Sequence, residues 1–381
     1  MDFCGGMEYS EVRLEEPCRM KDNMILSTKA AERNYRMDNL KCLLIFSVVF
    51  GHMLELFMGK NDSLKVIYLV IYSFHMPLFA FISGVFARFS PEKIRNHLIY
   101  PYVVFQILYL LFANSVLGKE EQLQLTTPYW LLWYLFACIA WNLVLPLVQG
   151  NGFSTGKKAV VLAFSLAAGI LIGFDNKAGY YLSFSRIVEF FPYFLMGVYY
   201  REWTGRRKLT PTGTKREGMY PALVICLGAA VCALIFIITE NVDEIRYAWL
   251  YGSVSYDTGN YTWRFRVLAI GAALLWLAFF LASIPARRLP FLSYIGANTM
   301  PVYLLHGFLI KLMSRTRLFH AIEHDLAAGL LISACLVAAL SWRPLVRLLL
   351  PLLCWDGSLL SFFRSVGGNP GRKKSEACRR E

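Results

Sequence analysis

The chain has 381 residues, of which 56% are hydrophobic and only 17% charged, with a mean hydropathy of +0.45. Nine Trp, 21 Tyr and 28 Phe suit the aromatic belts of a bilayer better than a soluble core. The composition predicts an all-α polytopic membrane protein. The net charge of +13 would suit a nucleic-acid binder, but the basic residues fall in alternate loops between apolar stretches. Topology alone explains that pattern, and no basic domain stands outside the helices, so nucleic acid is excluded as a partner. The nine cysteines form no C-x-x-C pair and lie in no stretch placed outside the cell. Buried or reduced thiols are expected rather than disulfides.

Residues 1–36 are polar, mixed in charge and without a sustained apolar period, which predicts a flexible cytoplasmic tail. No apolar core of a cleavable signal precedes Arg36. Spanning stretches follow at about 37–57, 65–87, 97–117, 128–148, 158–174, 184–200, 219–238, 263–284, 292–313 and 326–350. These about ten transmembrane helices form one membrane domain over 37–350, followed by a basic tail over 351–381. The fifth and sixth stretches are short enough to suggest tilted or re-entrant segments. With the amino terminus inside, inward loops carry Arg88, Lys93 and Arg95, then Lys157 and Lys158. Further along they carry Arg201, Arg206, Arg207, Lys208, Lys215 and Arg216, then Arg287 and Arg288. The outward loop at 239–262 holds Glu240, Asp243, Glu244 and Asp257 against Arg246. The rule that positive charge stays inside therefore places both termini in the cytoplasm. One outward loop breaks the rule: the segment near 314–325 carries Arg315 and Arg317.

The first spanning stretch, Arg36 to Phe57, carries Asp38, Lys41, His52 and Glu55. Ionisable groups inside a spanning helix are costly and point to function unless a partner explains them. Eleven steps at about 100° each bring His52 back to within about 20° of Lys41. Asp38 and Lys41 are neighbours at i,i+3, as are His52 and Glu55. One helix face thus carries a polar pair at each end, about 16 Å apart. In the predicted orientation His52 lies in the outer half of the bilayer and Lys41 near the inner face.

The second stretch contains F-H-M-P-L-F-A-F-I-S-G, with His75 near mid-depth, Pro77 expected to loosen the helix just after it, and Ser83 further in. The ninth, I-G-A-N-T-M-P-V-Y-L-L-H-G, brings His306 to the depth of His52, with Asn298 and Tyr303 below. Three membrane histidines suit a general base, because imidazole titrates near pH about 6.5 and can take a proton from a hydroxyl. A metal site is the rival use, but no spanning segment carries H-x-x-x-H or H-E-x-x-H, and no metal is expected. His320 and His324 stand at i,i+4 in a polar loop and are expected to be solvated. Trp130, Trp133, Tyr134 and Trp141 in the fourth stretch suit an interface belt, with stacking on a sugar ring as the alternative. Arg264 and Arg266, and Arg186 with Glu189 at i,i+3, are expected to form structural ion pairs.

D-N-L-K followed by ten residues and a histidine from Asp38, F-H-M-P-L-F-A-F-I-S-G at 74–84 and L-W-Y-L at 132–135 resemble a known family. So do F-P-Y-F-L-M-G at 191–197 and I-G-A-N-T-M-P-V-Y-L-L-H-G at 295–307. The family is the acyltransferase family 3 integral-membrane O-acyltransferases, and the branch is similar to fucose 4-O-acetylase-like proteins. The resemblance implies a ten-helix enzyme that takes an acyl group, usually acetyl, from cytoplasmic acyl-CoA. The group passes to a hydroxyl of an extracytoplasmic or lipid-linked glycan. It implies a plasma-membrane, bacterial setting and a catalytic signature of a basic residue and a histidine with ten residues between them, here Lys41 and His52. Many relatives carry two arginines three apart on the second cytoplasmic loop, where this chain has Lys93, Arg95 and Asn96.

The expected mechanism makes His52 the base for the acceptor hydroxyl, with Glu55 or His75 orienting or relaying. Lys41, tied to Asp38, helps place an anionic donor. Ser83, Asn298, Tyr303 and His306 are expected to bind substrate, and Arg95, Arg206 and Arg207 to meet CoA phosphates. Acetyl-CoA or another acyl-CoA is a donor substrate, not a permanent cofactor. A proton-coupled transporter or flippase is the alternative, since buried charges also line such pathways. A non-catalytic membrane sensor or scaffold is the second.

Overall fold

A computed structural model describes residues 33–56, 62–149, 154–179, 181–209, 221–316 and 325–355, without the side chains of 206–209. Among these residues every regular element is helical. The stretch Asn34–Cys354 folds as one compact unit. Residues 1–32 and 356–381 of the tails, the side chains of Arg206, Arg207 and Lys208, and Lys215, Arg216, Arg317, His320 and His324 lie outside the described residues.

The helices are α1 (Tyr35–Leu54), α2 (Asp62–Phe86), α3 (Pro91–Ser115), α4 (Trp130–Val148) and α5 (Thr155–Phe174). They continue with α6 (Phe184–Leu209), α7 (Pro221–Glu240) and α8 (Trp263–Ser283). The chain then forms α9 (Pro290–Ala297), α10 (Thr299–Met313), α11 (Leu326–Leu340) and α12 (Arg343–Leu353). Among the described residues seven helices are long and apolar enough to cross a membrane, and eight if α11 and α12 make one span. The predicted sixth stretch is α6, a helix of 26 residues that carries Arg186 and Glu189 near one end and Arg201 and Glu202 near the other.

α1 and α2 are the centre of the bundle. Each has 72% of its apolar window buried, against 17% for α5 and 11% for α7. α1 begins at Asn34, whose side chain accepts from the Met37 N–H and satisfies one of the free donors of the first turn. It then packs against α2, α9, α10 and α11. α2 crosses α6 through two glycines of the motifs read above. A Cβ at Gly84 would overlap the Phe194 carbonyl, and one at Gly197 would overlap the Phe81 carbonyl. The backbones can approach this closely only because both positions lack a side chain.

Three predicted helices are broken, each for a local reason. α2 breaks at Ser73–Phe74, before His75, where the sequence placed the loosening after it. Pro77 has no N–H to give the Ser73 carbonyl four residues back, so the ladder fails there. The ninth stretch is interrupted at Asn298, whose ψ of 38° ends α9. The tenth is not one straight span: α11 and α12 are bent by 69° at Ser341–Trp342, just ahead of Pro344 in the first turn of α12.

The connection from α7 to α8 folds over one end of the bundle. It contains a 3₁₀ turn at Tyr247–Leu250 and a short helix at Tyr256–Gly259. Arg186 donates to the Tyr251 carbonyl and the Ser253 hydroxyl, both at 3.1 Å. Arg266 pairs with Glu189 at 2.9 Å and donates to the Gly169 carbonyl and the Tyr261 hydroxyl. Tyr261 in turn donates to the Val254 carbonyl. Burial pushes its phenol up to about 12, so it stays protonated and keeps that bond.

Candidate active site

Four of the residues singled out in the sequence converge at one end of α1. The chain turns out of α1 at Glu55, whose backbone N–H still bonds to the Gly51 carbonyl. The His52 Nδ1 lies 3.0 Å from Glu55 Oε1. A carboxylate only accepts, so Nδ1 carries the proton and Nε2 presents its lone pair.

The same Glu55 oxygen accepts from the Tyr72 hydroxyl at 2.6 Å and from the Tyr68 hydroxyl at 3.2 Å. Both tyrosines lie on the first half of α2. Tyr68 reaches on to the Tyr251 hydroxyl at 2.8 Å, which joins the α7–α8 connection to the site. Glu55 is thus the hub of a network made by α1, α2 and that connection.

His75 and His306 flank this hub. The His75 ring meets Tyr72 edge-on with centroids 4.5 Å apart, and the His306 ring stacks on His52 at 5.4 Å. Each donates from Nδ1 to a carbonyl four residues back on its own chain, Ile71 at 2.9 Å and Val302 at 2.8 Å. For His75 this follows from the break in α2, where the imidazole takes a carbonyl of the interrupted ladder. For His306, Nε2 is buried without a hydrogen-bond partner among the described residues. Trp130 closes the other side of His52, its ring centroid 4.9 Å from the imidazole.

The second pair predicted on α1 also forms. Lys41 Nζ lies 3.0 Å from Asp38 Oδ1 and 4.5 Å from the centre of the Phe86 ring, at the opposite end of α1 from His52. The next residue, Asn39, ties this end to the turn before α9 by donating to the carbonyls of Pro285 and Arg287. The expected substrate-binding residues divide differently. Ser83 shares a hydrogen bond with the Tyr134 hydroxyl at 2.7 Å, and the Tyr134 ring faces Tyr303 at 6.0 Å. Tyr303 donates to the Leu131 carbonyl at 2.6 Å, one turn before His306 on α10. Asn298 is spent on its own helix, donating to the Tyr294 carbonyl. Arg95 is exposed in a π-helical turn and bonds to neighbouring Asn96 at 2.9 Å.

Tyr68, Tyr72 and Tyr251 were not singled out from the sequence. Their signal was available in part: Tyr68, Tyr72 and His75 fall at i, i+4 and i+7, one face of a helix. The role of Tyr251, in a connection distant in sequence, carries no such signal.

The arrangement suits proton transfer at His52 Nε2, with the tautomer held by Glu55 and the carboxylate held by two hydroxyls. The family model for acyltransferase family 3, described as an acyltransferase domain, matches residues 34–343. No curated protein and no solved structure gave a match.

Proposed function

The chain belongs to acyltransferase family 3, a multi-pass membrane acyltransferase, and from that premise we propose that it moves an acetyl group from cytoplasmic acetyl-CoA to a hydroxyl of an extracytoplasmic or lipid-linked glycan. The observation that carries this reading is the 3.0 Å contact between His52 Nδ1 and Glu55, which leaves the other ring nitrogen basic. His52 Nε2 takes the proton of the acceptor hydroxyl as its oxygen attacks the thioester carbonyl. The tetrahedral intermediate collapses, the carbon–sulfur bond breaks, and the imidazolium returns the proton to the departing thiolate. Glu55 stabilises the imidazolium formed in between. His75 and His306 stand against the same network, and their Nε2 lone pairs are proposed to accept from acceptor hydroxyls.

Lys41, paired with Asp38, serves the donor from the other end of α1. Arg95, Arg206 and Arg207 are the cations proposed for the CoA phosphates. The topology that fits this chemistry is ten spans in a plasma membrane, the broken helices counted as spans, with both tails cytoplasmic. The membrane domain then covers 37–350, and the fucose 4-O-acetylase-like branch supplies the proposed acceptor class. The test is acetyl transfer from labelled acetyl-CoA by purified protein, with release of CoA thiol followed in parallel. His52→Ala is expected to lose about 10²- to 10⁴-fold in rate. Activity within a few-fold of the parent removes His52 as the base. Absence of thiol release from the parent removes the transferase reading in favour of transport.

A further inference from the structure

One cation near His52 has no place in the mechanism above. Lys311 lies in the last turn of α10, and its Nζ stands 4.1 Å from the centre of the Trp130 ring. That ring is the one that meets His52 edge-on, so one indole contacts both the ammonium and the imidazole. A lysine in a last turn commonly serves the helix dipole. Here the side chain lies over an indole face instead, a contact that positions a cation without cancelling its charge. Among the described residues no carboxylate is within ion-pair reach of it. Glu55 is engaged by His52, Tyr68 and Tyr72, and Glu121 faces Lys119.

The surroundings hold this arrangement in place at some expense. Trp130 has a φ of 39°, in the left-handed region where a bulky residue is strained and persists only when its neighbours impose it. Gly307, four residues before Lys311 on the same face of α10, makes the room: a Cβ there would stand 2.8 Å from Trp130 Cζ3. One turn beyond Lys311, Arg315 clamps the α3–α4 connection by donating to the carbonyls of Val116 and Leu117. In the proposed topology Lys311, Arg315 and Lys119 all lie on the outer side, where the positive-inside pattern disfavours them. Retention in the cytoplasm therefore does not account for them. Stacked against His52, the buried His306 carries an Nε2 lone pair without a donor among the described residues.

We infer that the acceptor is an anionic sugar, one bearing a phosphate or carboxylate, whose charge is held by Lys311 on the Trp130 face while His306 Nε2 accepts from a hydroxyl beside the one that His52 deprotonates. This rests on the acyl-transfer reading of the site and adds the acceptor's charge to it. Lys311 is a specificity-determining residue, and Trp130 positions it. The alternative source of the same anion is a phospholipid headgroup of the outer leaflet.

The experiment uses the full chain in phosphatidylcholine nanodiscs and reads thermal-unfolding midpoints against glucose 1-phosphate and its neutral counterpart methyl glucoside. The phosphate sugar is expected to stabilise the parent at concentrations about tenfold or more below the neutral one. Lys311→Gln should erase that gap, and Lys311→Arg should restore most of it. Equal response of the parent to both sugars overturns the inference, as does a gap unchanged in Lys311→Gln. A Lys311-dependent shift seen only when phosphatidylglycerol replaces phosphatidylcholine, without response to the phosphate sugar, assigns the lysine to lipid and also overturns it. No turnover is needed, so failure here is separable from failure of the labelled-donor assay.

Discussion

Two carboxylates inside this bundle, Glu189 and Glu55, are held in opposite ways. Glu189 on α6 meets Arg266 of α8 at 2.9 Å, and Arg266, 2% exposed, also donates to the Gly169 carbonyl and the Tyr261 hydroxyl. Every partner there is a permanent charge or a carbonyl or hydroxyl fixed in place. Glu55 is held by hydrogen bonds from an imidazole and two phenols, and its side chain remains 23% exposed. The first arrangement fastens the α7–α8 connection to the bundle. The second keeps a base in one tautomer while leaving its working nitrogen open. Burial of a charge in a membrane protein is therefore no guide to chemistry until the partner is known.

The comparison can be broken in four ways, from the largest expected effect to the smallest. Glu55→Gln keeps an oxygen for the two tyrosines but removes the charge that orients His52. Labelled acetyl transfer should fall by about 10²- to 10⁴-fold while the unfolding midpoint changes little. Arg266→Met should do the reverse. It leaves Glu189 buried without its counter-ion, a loss of about 3–5 kcal/mol, and the midpoint in detergent should drop while the rate per folded molecule is kept. Adding Glu189→Gln should recover part of that loss, because the uncompensated charge is gone.

Tyr72→Phe removes one charge-assisted bond to Glu55, worth about 1.5–3 kcal/mol. Transfer should fall about ten- to a hundredfold, and the loss should appear in kcat rather than KM. Ser83→Ala removes a bond between two neutral hydroxyls, worth about 1 kcal/mol. Its effect on transfer should stay within about fivefold, unless the Ser83–Tyr134 pair touches a substrate directly.

Much of this molecule is legible in the residues alone. The ten apolar stretches mark where helices form, because apolar length is a property of the local chain. Both α1 pairs follow from i,i+3 spacing, and the contacts His52–Glu55 and Asp38–Lys41 form at 3.0 Å each. The elbow at Ser341–Trp342 was missed although its signal was present. Arg343, Pro344 and Arg347 interrupt the apolar stretch 326–350 where the chain turns. The clasp on Glu55 was missed for a different reason. Tyr68, Tyr72 and Tyr251 are three among 21 tyrosines, and only the packing of α2 and the α7–α8 connection against α1 selects them. Arg186 and Glu189 illustrate the same limit: spacing suggests that they pair with each other, whereas the structure gives Glu189 the guanidinium of Arg266, 77 residues on.

The joint in α2 has a mechanical consequence. Its second half, with His75 and Ser83, is welded to α6 where Gly84 and Gly197 let the backbones touch. Its first half, with Tyr68 and Tyr72, packs instead against α1 through Leu64, Tyr68, Ile71 and Tyr72. A tilt of Asp62–Tyr72 alone would withdraw both phenols from Glu55 and leave the welded segment undisturbed. Loosening the base from the α2 side therefore means opening the part of the core that Leu64, Tyr68 and Ile71 share with α1.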